Sequence, residues 1–194
     1  ASLFQLTAVL CICVAISATD ATSGAEVGQE EKDGQCASAS KLSHGLAAAY
    51  PLGKKRQILH FVRHAEGFHN LVALKYTRHS EEYERALADP SYFDARLSPR
   101  GIDQCKQLRE QAIQDSLDYD LILVSPLART LQTLSIAFPN PPPHVPIIAI
   151  DILRERYGLR PCDSRSDVEA VKQEFPHVNF SLVPPGPDPY ICPR

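Results

Sequence analysis

Three short apolar runs decide what this chain can become. Gln57–Val62 (QILHFV), Asp120–Val124 (DLILV) and Val145–Ile150 (VPIIAI) are of strand length. Runs so apolar, without polar alternation, predict strands buried on both faces, as in a parallel sheet covered by helices. The segments between them carry helix signals. Ser98-Pro99 offers an N-cap and a first-turn proline, and Ile102, Cys105, Leu108, Ala112 and Ile113 follow at helical spacing. A helix is expected from Pro99 to about Asp115. Ser125-Pro126 repeats the signal and predicts a second helix to about Ala137, with Leu127, Leu131 and Leu134 on one side. Asn70 to Ala88 has mixed helical character, with Glu81, Glu82, Glu84 and Arg85 forming a solvated face. The succession strand, helix, helix, strand, helix, strand predicts an α/β fold with a largely parallel sheet flanked by helices.

The flanks read differently. Ser2–Ser17 is uncharged and mostly apolar, and the small residues Ala15, Ser17 and Ala18 suit a cleavage site, so residues 1–18 are expected to be a removed secretory signal. The run is shorter than the roughly 20 apolar residues of a membrane span, which argues against a retained anchor, and a core helix is the other alternative. Residues 19–49, polar and without apolar period at their start, are expected to be a flexible linker. The folded domain is expected over 50–182. Phe138–Pro146 holds five prolines and must be a loop, and the five of Val183–Arg194 make that stretch a proline-rich tail, neither helix nor central strand. A secreted or secretory-pathway location follows from the signal. Cys36, Cys105, Cys162 and Cys192 would then remain; their number permits disulfides, with three pairings open, and they are expected to be structural or free.

Several function classes drop out. The net charge of -3 gives no basic face for nucleic acid. There is no phosphate-cradling glycine loop, no cofactor signature, and no His or Cys spacing suited to a metal. What remains lies at the strand ends. The first strand ends in Arg63-His64, the second leads into a helix whose first turn holds Arg129, and the third leads into Arg154-Glu155. Ligands of open α/β sheets sit outside the carboxyl ends of strands, and guanidinium forks match phosphoryl oxygens. A neutral imidazole can attack phosphorus, and a carboxyl such as that of Glu155 can protonate the leaving group. A phosphorylated small molecule or other phosphoester is the expected partner. His60 is expected in the core or an interface, and His69 and His79 on the surface.

Leu59-His60-Phe61-Val62-Arg63-His64-Ala65-Glu66-Gly67 followed by Asn70 resembles the Arg-His-Gly signature of the histidine phosphatase (phosphoglycerate mutase-like) superfamily, with Ala65 where the family usually has Gly. Three further blocks match in order: Leu97-Ser98-Pro99-Arg100-Gly101 with Gln104, Ser125 to Thr133 (SPLARTLQT), and Leu153 to Gly158 (LRERYG). Arg160-Pro161-Cys162-Asp163 and the stretch from Phe175 to Leu182 are similar to a eukaryotic branch known from plants. The resemblance implies a three-layer fold in which Arg63, Asn70 and Arg129 bind phosphate, His64 takes it, and Glu155 donates the proton.

The family's pocket also uses a later histidine in a T/S-H-G context. Here His144 precedes the third strand's core and His177 has no strand leading into it, so the domain reads as C-terminally incomplete. Three functions are therefore expected as alternatives: a metal-independent phosphomonoesterase, favoured by the secretory signal; a phosphoglycerate mutase-type phosphoryl transferase; or a truncated, non-catalytic phosphate-binding or interaction protein.

Overall fold

The computed structural model describes residues 12–18, 57–116, 119–155 and 160–190. Two units are resolved, residues 18–58 and the remainder; nearly all described residues belong to the latter. Strands β1 (Ile12–Ala18), β2 (Gln57–Arg63), β3 (Leu121–Val124), β4 (Ile147–Ile150) and β5 (Asn179–Leu182) form one sheet in the order β2-β1-β3-β4-β5. Pairing is parallel from β3 through β5, and β1 runs antiparallel to β3 with Val14 opposite Leu123. The segment read as the end of a leader thus supplies a strand of this sheet. The linker expected at 19–49, with Cys36, lies outside the described residues, as does Cys192.

Helices are α1 (Val72–Lys75), α2 (Glu81–Leu87), α3 (Pro99–Gln114), α4 (Ala128–Ala137) and α5 (Val168–Glu174). Alternate residues of the parallel strands (Ile122 and Val124, Ile147 and Ala149, Phe180) point to one face. There they meet Leu131 and Leu134 of α4 and Val168 and Val171 of α5 in a single core. The fold is α/β, as the strand and helix signals predict. α3 packs on α4 through Cys105, Leu97 and Ala137, with Ala65 against them, so this second, smaller cluster already touches the residue after His64. No described helix is long and apolar enough to cross a membrane.

Several expectations need correction. β2 is not buried on both faces: it stands at the sheet edge, and Leu59 (48%) and Phe61 (60%) are exposed. The α3 stripe is covered only in part, since Cys105 is buried but Ile102 and Ile113 are exposed. α4 starts at Ala128, later than the Ser-Pro signal suggests. Ser125–Leu127 is a non-helical lead-in that ends with Leu127 extended, and the Thr130 hydroxyl donates to the Ser125 and Leu127 carbonyls. The cap comes instead from Asp94 Oδ1, which accepts the Ala128 N–H at 2.8 Å. At the other end, Val183–Tyr190 contributes a buried side chain: Asp188 pairs with Arg154 at 2.6 Å.

Candidate active site

The carboxyl ends of β2, β3 and β4 bring together the residues that spacing singles out. His64, directly after β2, is buried. Its Nδ1 lies 2.6 Å from the Ala65 carbonyl, an oxygen that can only accept. Nδ1 therefore carries the proton and Nε2 keeps its lone pair. Nε2 sits 3.3 Å from Glu155 Oε1, close but not a hydrogen bond, and both atoms are buried with no hydrogen-bond partner among the described residues. Burial alone raises the Glu155 carboxyl, but His64, Arg129 and Arg63 outweigh it and hold the group below its ordinary carboxylate value.

Arg129, in the first turn of α4, is fully buried. Nη1 donates to the Cys162 carbonyl at 2.6 Å, whereas Nε and Nη2 have no partner among the described residues. Buried guanidinium nitrogens left without acceptors are rare in native folds, and a pair so placed can take the oxygens of an anion. Arg63 ends β2 with an exposed side chain, and its charge acts on the Glu155 carboxyl. Asn70 is held from both sides: Oδ1 accepts the Gly67 N–H at 2.8 Å and Nδ2 faces His69 Nε2 at 3.1 Å. All five residues chosen from the sequence thus lie on the segments that converge at the strand ends.

The loop after His64 is clamped by the two helix-start blocks. The Ala65 N–H donates to Thr133 Oγ1, the Glu66 N–H to Gln104 Oε1 and the Leu97 N–H to Gln132 Oε1. Ser98 caps α3 by accepting from the Gly101 N–H while its hydroxyl donates to Glu66. Gly101 allows this approach, since a Cβ there would overlap the Glu66 carbonyl oxygen.

Three site residues escape sequence reasoning. His69 is not on the surface: it is 8% exposed, with its ring centroid 5.9 Å from that of His64. The adjoining Asn70 and the Gly67 that makes room for the ring were the available signal. Arg160 acts on the same cluster and is anchored by two 2.8 Å bonds to Glu84 on α2. Asp94, which links α4 to the Ser166 N–H, has no signal in its neighbours. Cys105 and Cys162 are buried free thiols; burial and then Asp163 push Cys162 up to about 12, so it is no nucleophile.

The comparisons with known proteins agree with this geometry. Residues 59–177 match the model of the histidine phosphatase superfamily (branch 1). A phosphoglycerate mutase-like protein of Arabidopsis thaliana is 32% identical over 69% of this chain and 57% of its own length. A phosphomutase-like protein 3 of Candida albicans is 29% identical over 66% of this chain and 42% of its own. A probable phosphatase of Schizosaccharomyces pombe is 27% identical over 63% and 51%. The chain thus spans about half the length of the curated relatives it matches. No solved structure matches it at that level. With the loop after His64, the clamping helices and the Glu155 segment all inside the matched region, the chain belongs to the histidine phosphatase superfamily.

Proposed function

We propose that this chain carries the phosphoryl-transfer centre of a metal-independent phosphomonoester hydrolase working through a phosphohistidine at His64. The observation that carries it is the pairing of a tautomer-locked His64, Nε2 lone pair free, with a fully buried Arg129 two of whose nitrogens have no acceptor among the described residues. Arg129, Arg63 and Asn70 hold the phosphoryl oxygens. The Nε2 lone pair forms the N–P bond as the P–O bond to the leaving group breaks, and Glu155 gives that oxygen a proton. Water then attacks phosphorus, loses its proton to the Glu155 carboxylate, and the N–P electron pair returns to the imidazole.

Glu155 is ionised in the free protein at neutral pH because the surrounding cations depress it. A bound phosphate dianion offsets those cations, so substrate binding draws a proton onto Glu155 and kcat/KM falls as pH rises above neutrality. Mutase-type transfer would use the same residues, a reading favoured by the relatives named phosphoglycerate mutase-like; the two differ in whether water or a second substrate oxygen receives the phosphoryl group.

The test is hydrolysis of aryl and alkyl phosphates with EDTA present. His64→Ala abolishes both. Glu155→Gln slows the alkyl ester by about 10²–10⁴ but the aryl ester much less, because an aryl oxide needs little protonation. Equal losses on both esters would refute the acid role, and full activity in His64→Ala would refute the nucleophile.

A further inference from the structure

We propose that His69 is a further ligand of the phosphoryl group, donating its Nδ1–H to an oxygen of the phosphate held at His64. The inference rests on the reading of His64 and Arg129 as a phosphoryl centre and adds a contact to it. The proton can be placed by elimination. A backbone N–H only donates, so the Asn70 atom that faces the Gly67 N–H at 2.8 Å is Oδ1. The amide nitrogen Nδ2 is then the atom 3.1 Å from His69 Nε2, and it donates there. Nε2 is an acceptor, and the single proton of a neutral imidazole lies on Nδ1.

That Nδ1–H is buried and has no partner among the described residues. The residue as a whole is 8% exposed, so water does not serve it from outside. Its charged surroundings are the guanidinium groups of Arg129, Arg63 and Arg160. These are donors, like the unpartnered Nε and Nη2 of Arg129, and what this group of nitrogens lacks is one anion with several oxygens. Burial first, then those cations, push His69 down to about 2. The ring therefore donates without adding a charge that would have to be desolvated. Gly67 is part of the device: a Cβ there would stand 2.8 Å from Nδ1 and Cε1 and displace the ring.

The experiment uses the full chain and orthovanadate. A long-range proton–nitrogen spectrum, assigned by its loss in His69→Asn, should show His69 as the Nδ1–H tautomer, and saturating vanadate should shift that proton. Calorimetric titration should show vanadate binding about tenfold or more weaker in His69→Leu, the effect of losing one hydrogen bond to a charged group. His69→Asn, which keeps an N–H near the Nδ1 position, should recover most of it. Thermal melts of both variants identify any loss of fold, and the assignment of the spectrum requires only that His69→Asn keep its fold. An unmoved Nδ1 proton at saturation, or an Nε2–H tautomer, overturns the proposal. Binding lost in Arg129→Met but untouched in His69→Leu overturns it alone, leaving the phosphoryl centre standing. No vanadate binding by the unmutated chain overturns the centre as well.

Discussion

Burying a neutral histidine among arginines carries a cost that acid should reveal. His69 goes from an ordinary value of 6.5 to about 2 on folding. Between those values the unfolded chain binds one proton more than the folded one at this site. The linkage relation then gives stability that rises with pH, and is lost as pH falls from about 6.5 toward 2. The slope is about 1.4 kcal/mol per pH unit once the unfolded histidine is fully protonated. At pH 6 it is only partly so, which leaves about 2.5 kcal/mol lost between pH 6 and pH 4. Against a total stability on the order of 5–15 kcal/mol, that is a large share. The window ends well above the folded value, so the expected loss hardly depends on where near 2 that value lies.

The perturbation is His69→Asn, a side chain that does not titrate. Other groups whose folded values are depressed, such as Glu155 and Asp188, also lose stability in acid, but they do so in both proteins and largely cancel in the difference. Urea unfolding at pH 6, 5 and 4 is the assay. The stability of the unmutated chain minus that of His69→Asn should fall by about 2.5 kcal/mol over this range. A difference that stays constant to within about 0.5 kcal/mol, the additivity error for independent sites, would refute the placement of His69 as a buried, uncharged ring.

Two further outcomes follow from single contacts. Gly101→Ala drives a Cβ into the Glu66 carbonyl, so it should destabilise by about 1–3 kcal/mol as overpacking does and, on the proposed function, lower aryl phosphate hydrolysis by displacing the loop after His64; an active variant of unchanged stability would show that the clamp yields. Asp188→Asn removes the closer of the two carboxylates paired with the buried Arg154 guanidinium, leaving Asp151 at 3.5 Å, and should cost about 3 kcal/mol, the lower end for breaking a buried pair, in denaturant unfolding. The double replacement Arg154→Met with Asp188→Leu should recover most of that loss, and a double variant as unstable as the single one would count against the ion pair as the cause.

Much of this architecture was legible because the local and global signals coincide. The Ser98-Pro99 cap predicts α3 to within a residue, and the apolar runs at 57–62 and 120–124 become β2 and β3 almost as read. The misreadings have physical causes. α4 starts at Ala128 because Asp94, distant in sequence, supplies its cap, and no periodicity reports a cap that arrives through tertiary contact. α5 and β5 are short elements whose stability comes from packing against the core at Val168, Val171 and Phe180, so their own sequences announce little. His69 was placed on the surface because an isolated histidine beside polar neighbours has no pattern; only the fold around Gly67 turns its ring inward.

Burial alone does not separate arginines that build the fold from those that serve the site, but the balance of acceptors does. Arg154 gives Nη1 and Nη2 to Asp188 and Nη2 also to the Asp163 carbonyl. Arg165 donates to the carbonyls of Ser166, Gly186 and Pro184 and lies 3.7 Å from Asp151. Both tie the segment after β4 to Pro184–Asp188, and their charge is answered within the chain. Arg129 is as deeply buried, yet among the described residues only the Cys162 carbonyl accepts from it. A fold can keep an under-satisfied cation only where it is over-determined elsewhere, and here the surplus falls within reach of His64 and Glu155. Buried arginines far apart in the sequence thus divide by the balance of donors and acceptors among the described residues, and on the proposed function the phosphoryl group is the acceptor that Arg129 takes.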